Sequence, residues 1–199
     1  MQRSIMKFSS IAASSVIFLA ACSDKSPVAP TPPAPEAFRS LILPQAQQVN
    51  VVRRNTPLEA SIKRSASIGI LGGVISIPEA GLLVIVPPGA VLSHTTFTVT
   101  APAGYAVAYE FGPHGARFLA PLIVEQDLRN TEAYGNLKIL GSLEAGYFTD
   151  LNSVGITGLI SEVLPVLYNP ITAKARFTVG HFSGYLVTAG RTAEESAED

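Results

Sequence analysis

A single antiparallel β-sandwich is the fold class this sequence predicts, and three observations predict it. Apolar and polar residues alternate with period two through several short runs. Turn-forming residues break those runs at intervals of about 8–12 positions, the spacing of an all-β sandwich. No stretch beyond the first twenty-one residues keeps a 3.6-residue apolar period, so no helical domain is expected.

Residues 1–21 read as a secretory signal. Arg3 and Lys7 make a basic start, and Phe8–Ala21 is an apolar run too short to span a bilayer stably. Leu19-Ala20-Ala21-Cys22 resembles the bacterial lipobox, in which small residues admit the peptidase and the thiol takes a diacylglycerol. The resemblance marks the chain as a bacterial lipoprotein, palmitate-type acyl chains on Cys22 being its anchor to a membrane. Two or three such chains hold stably where one would be marginal. Ser23 stands where aspartate would be the usual inner-membrane retention signal, which points to the outer membrane of the cell envelope. Cys22 is also the one cysteine of the chain. The exported domain therefore has no internal disulfide and no thiol for catalysis.

Residues 22–56 are assigned to the lipidated cysteine and a tether. Pro27, Pro30, Pro32, Pro33 and Pro35 favour an extended arm of about 3 Å per residue, so the arm reaches about 40 Å. Ala37–Asn55 mixes apolar and glutamine-rich pieces and reads either as more linker or as a short lead-in element.

Residues 57–190 form the predicted sandwich. Ser67–Leu71, Val74–Ile77 and Leu82–Val86 are short strands separated by Gly72-Gly73 and the Pro78–Gly81 turn. Thr95–Ala101 is the clearest strand, with Phe97, Val99 and Ala101 on one face and threonines on the other. Ala106–Phe111 and Leu122–Asp127 flank a Gly-Pro turn. Leu137–Leu140 and Glu144–Tyr147 follow as strands. Glu162–Tyr168 and Ala173–Val179 form a hairpin across Asn169–Thr172, with Ala175, Phe177 and Val179 facing inward. Tyr185–Thr188 closes the domain. Residues 191–199, with Glu194, Glu195, Glu198 and Asp199, are an acidic, solvated tail.

Three segments carry a resemblance to the ZU5 family. They are Gly81–Val91, a glycine turn, apolar strand and proline-glycine corner; Glu110–Gly115 with Phe118 and Pro121-Leu122; and His181-Phe182-Ser183-Gly184-Tyr185. The resemblance implies a ZU5-like β-sandwich that binds other proteins, and bacterial relatives that are envelope proteins. Some family members cleave themselves at His-Phe-Ser. There His181 would take the Ser183 hydroxyl proton, and the oxygen would attack the Phe182 carbonyl. The simpler reading packs Phe182 in the core while His181 and Ser183 satisfy backbone groups.

The remaining signals exclude more than they assign. The chain carries a net charge of −1. Removing Arg3 and Lys7 leaves twelve basic residues against fifteen acidic, near −3, with no basic patch for nucleic acid. Neither a Gly-x-Ser-x-Gly elbow nor His-Glu-x-x-His occurs, so no enzyme, cofactor or metal site is assigned. A metal would require the fold to gather His94, His114 and His181 with Glu110 or Asp127. Glu110, Glu125 and Asp127 offer no diagnostic glycosidase pair. The expected function is a lipid-anchored, non-catalytic protein-interaction or structural module with an envelope protein as partner. The alternatives are self-cleavage at Phe182-Ser183 and a glycan- or peptidoglycan-binding module using Tyr105 or Tyr134.

Overall fold

The computed structural model of the chain describes residues 46–191. Within them fifteen strands follow in order: β1 (Gln47–Val51), β2 (Arg53–Leu58), β3 (Ile62–Ile68), β4 (Gly73–Ile77), β5 (Leu82–Val86), β6 (Thr95–Ala101), β7 (Gly104–Ala106), β8 (Ala108–Gly112), β9 (Arg117–Asp127), β10 (Glu144–Phe148), β11 (Thr157–Ile160), β12 (Glu162–Pro165), β13 (Leu167–Asn169), β14 (Lys174–His181) and β15 (Gly184–Arg191). One short helix, α1 (Leu137–Gly141), interrupts them. The fold is all-β, as the alternation predicts.

One sheet runs β11-β1-β15-β8-β6-β3, with β10 on the opposite edge of β15 and β12 beyond it. The second runs β13-β14-β9-β5-β4, while β2 and β7 pair as a separate ribbon. These pairings are antiparallel, as short connections require. The inward rows of both sheets form the main core: Ile75, Ile77, Val84, Leu122, Val124 and Phe177 from one side, Phe97, Val99, Phe111 and Tyr185 from the other. The predicted inward residues of β6 and β14 are all buried.

β15 departs from alternation: Gly184 through Thr188 are buried in succession. Tyr185 and Val187 belong to the main core, whereas Leu186 joins a second cluster with Val49, Val51, Phe148 and Ile160 on the sheet's other face. A strand covered on both faces has no polar row to display.

Several expected elements lie elsewhere. Strand pairing begins at Gln47, so β1 and most of β2 lie in the stretch assigned to tether, ten residues ahead of the expected boundary at Pro57. Gln47 and Asn50 are half-buried there, and Val49 and Val51 carry the burial. The run Ser67–Leu71 ends at Ile68. Ile70 and Leu71 sit in a turn where the Gly72 amide donates to Gly69 O at 2.9 Å. Gly72 has φ +73°, and a Cβ there would lie 2.3 Å from Val86 O, so only glycine fits.

Leu137–Leu140 is helix rather than strand. The Asn136 side chain caps it, accepting from the amides of Lys138 at 3.2 Å and Ile139 at 3.3 Å. The expected Glu162–Tyr168 strand divides at Val166: β12 pairs with β10 in the first sheet and β13 with β14 in the second. The predicted turn is real, with Asn169 Oδ1 accepting from Ile171 and Thr172 amides at 2.9 and 3.2 Å. β11 is a strand that sequence reading did not single out.

Candidate functional site

His181-Phe182-Ser183 spans the step from β14 to β15, and its core partners fix each side chain. Phe182 is buried among Phe97, Phe111 and Phe118, with ring centroids 5.0, 5.4 and 4.7 Å away. Such aromatic pairs contribute about 0.5–1.5 kcal/mol each beyond area burial. The Phe182 amide donates to Ala116 O at 2.8 Å, and Gly115 N–H donates to Phe182 O at 3.1 Å. Both backbone groups of the residue are thereby paired across β9's entry loop. The Ser183 carbonyl accepts from the Phe111 amide at 2.9 Å.

His181 turns away from Ser183. Its Nδ1 lies 3.4 Å from the Tyr185 hydroxyl, its Nε2 lies 3.7 Å from Glu162, and its ring meets Tyr147 edge-on at 5.3 Å. The Tyr185 hydroxyl donates to His181 O at 2.7 Å, and burial, more than the nearby Glu162, raises the phenol's pKa. No hydrogen bond joins the imidazole to the Ser183 hydroxyl, the contact a base would need.

The other sequence candidates are dispersed. His114 pairs with Glu110 at 3.3 Å on an exposed turn, and the His94 ring lies against Gly69. Among the described residues, no group of three His, Cys, Asp or Glu side chains is gathered closely enough to hold a metal. Tyr105 is 44% exposed, but the Arg53 guanidinium sits 4.9 Å over its ring and covers one face. Tyr134 is 57% exposed. Cys22 lies outside the described residues.

Glu125 and Asp127 each have cationic partners. Glu125 accepts from Lys174 Nζ at 3.0 Å and Arg176 Nε at 3.0 Å, and those hydrogen bonds hold its carboxyl below the ordinary value. Arg129 Nε donates to Asp127 at 2.9 Å and lowers that carboxyl likewise.

A polar network that sequence reading missed lies where the β2–β7 ribbon meets the second sheet. Arg54 is 3% exposed. Its Nη1 donates to Ala106 O, and its Nη2 donates to the Tyr109 hydroxyl at 3.2 Å. That hydroxyl contacts Gln126 Oε1 and donates to Ala80 O at 2.9 Å. Gln126 Nε2 donates to Ala80 O at 3.0 Å and to Asp127 O at 2.8 Å. Gly81, with φ +71°, permits this approach, because a Cβ would stand 2.9 Å from Gln126 Nε2. The sequence around Arg54, Val51-Val52-Arg53-Arg54-Asn55-Thr56, shows no alternation that would mark a strand or a buried arginine.

At one end of the sandwich, three segments are tied by backbone hydrogen bonds. Gly89 N donates to Ile70 O at 2.8 Å, and Leu119 N donates to Ala90 O at 3.1 Å. They carry Ile70, Leu71, Leu92 and Leu119, which are 55, 86, 73 and 71% exposed.

These features define an all-β sandwich-like domain with a closed aromatic core, a buried arginine network and an apolar end. A scan against protein-family models finds no match for the chain, and a search of curated proteins finds none.

Proposed function

We propose that this chain is a lipid-anchored envelope protein whose sandwich acts as a non-catalytic interaction or structural module. The observation that carries the reading is the apolar end, where Ile70, Leu71, Leu92 and Leu119 stand in water on linked segments. Large apolar side chains exposed on neighbouring, hydrogen-bonded segments favour association. The lipobox-like run ending at Cys22 supports the anchor, and the outer membrane is the destination that Ser23 favours. The ZU5-like reading rests on its three sequence segments, which lie on β5 and its following corner, from β8 into β9, and on the β14–β15 step.

The test is crosslinking from native membranes. Leu71→Asp with Leu92→Asp should abolish the crosslinked species and leave thermal unfolding unchanged, since both side chains are already in water. A species that persists would remove the interaction reading. In the same preparations, Cys22→Ala should release the protein from the detergent phase, and unchanged partitioning would remove the anchor.

A further inference from the structure

We infer that Arg54 forms the floor of a binding site for a single carboxylate group. A guanidinium stays charged at any physiological pH, and a buried charge is normally paired. Here the partners are neutral. Arg54 donates to a backbone carbonyl and to the Tyr109 phenol, while its buried Nε–H has no partner. Tyr109 cannot supply the counter-charge, because burial raises its pKa and keeps the phenol protonated. Among the described residues no carboxylate lies within ion-pair distance of Arg54.

Arg54 lines a cavity of about 140 Å³. Its floor is Arg54, Ala80, Gln126 and Thr131, all buried, and its rim is exposed at Glu79 and Arg129. That volume admits water or a small oxyanion. A guanidinium is a planar fork of donors, and a planar, two-oxygen acceptor is the group whose shape matches it.

Charge around the cavity selects further. Asp127 and Arg129 neutralise each other at the rim, and Glu79 is paired with Arg64 at 2.9 Å. With the rim charges paired off, a monoanion cancels Arg54 one for one, whereas a dianion such as phosphate would leave a negative charge uncompensated in the site. The carboxylate can come from a free acid, from a partner peptide, or from the chain's own Glu194, Glu195, Glu198 or Asp199. This site is independent of the apolar end, so either reading can fail without the other.

The test follows the arginine Nε–H resonances of the full-length chain by ¹H–¹⁵N NMR, with acetate, inorganic phosphate or chloride added at matched ionic strength. Arg54 is assigned by the signal lost in Arg54→Lys. Acetate should shift the Arg54 signal saturably and raise the Tm by roughly 5 °C at a hundredfold excess over Kd, and chloride should do neither. A response to phosphate but not acetate, or to neither in both the unaltered chain and E194Q/E195Q/E198Q/D199N, would overturn the proposal. If acetate acts only after E194Q/E195Q/E198Q/D199N, the occupant is the chain's own tail, and the site is still a carboxylate site. Should Arg54→Lys not fold, the titrations of the unaltered chain and of the tail variant still decide, with through-bond correlation giving the assignment.

Discussion

Glu125 and Arg54 are buried almost equally, at 7% and 3% exposure, yet their surroundings differ in kind. Glu125 has two cations within 3.0 Å, both on the neighbouring β14, whereas Arg54 has neutral acceptors and an idle donor. Lys174 and Arg176 reach Glu125 from the outward row of β14, directly across the β9–β14 register, in which Arg176 faces Glu125. That placement is a cross-strand charge pair, which sheet geometry provides at no extra cost in order. Arg54 stands on a two-stranded ribbon whose register shifts between Arg53 and Leu58, and its bridge partner, Thr131, carries no charge. Burial alone therefore does not mark a functional charge. The mismatch between burial and pairing does.

The comparison breaks first at Tyr109. Tyr109→Phe removes the acceptor for Arg54 Nη2 and the hydroxyl shared with Gln126 and Ala80 O. Leaving buried polar groups unpaired costs about 1–3 kcal/mol, and several are affected at once, so a loss of about 3 kcal/mol is expected by denaturant unfolding. A loss under about 1 kcal/mol would mean that the network is not a structural support for Arg54.

Next comes Glu125. Lys174→Met with Arg176→Met strands its carboxylate, and stability should fall by about 2 kcal/mol, below the range for fully buried pairs because both cations are half in water. The same pair sets an acid response. The folded-state carboxyl lies below its ordinary value, so its stabilisation is complete above the unfolded value of about 4.3 and is lost as pH falls through the folded one. Wild-type Tm should therefore drop on acidification below about pH 4, and the double variant should show a shallower drop. Equal slopes would show that Glu125 is not differentially stabilised by its partners.

Much of this contrast was hidden in the sequence. Period-two alternation exposed β6 and β14 with their inward faces, because each has one face in the core and one in water. It could not expose β1 and β11, whose small second cluster lies off the main core, nor the double-faced burial of β15. A four-residue run such as Leu137-Lys138-Ile139-Leu140, three apolar residues and one lysine, fits either period, and the Asn136 cap decided for helix. The His181-Phe182-Ser183 motif was readable as a string, but the direction of the imidazole depends on Tyr185, Tyr147 and Glu162, which alternation does not orient. Arg54 was invisible for a plainer reason. An arginine in an unrecognised strand looks like a solvated residue until its neighbours are known.

The smallest effect on stability is the sharpest probe. Arg54→Met keeps much of the side-chain volume, removes an uncompensated buried charge, and leaves Ala106 O without its donor. Replacing buried charge with a well-packed apolar side chain is often neutral or stabilising, so the net change should stay within about 1 kcal/mol of zero. Glu125 lacks that indifference, since its two cations make it part of the fold. A loss of about 3 kcal/mol in Arg54→Met would make the arginine a structural tie like Glu125, and the contrast between the two buried charges would disappear. A near-zero change, with the stabilisation by acetate abolished, would separate a charge kept for a ligand from a charge kept for the fold.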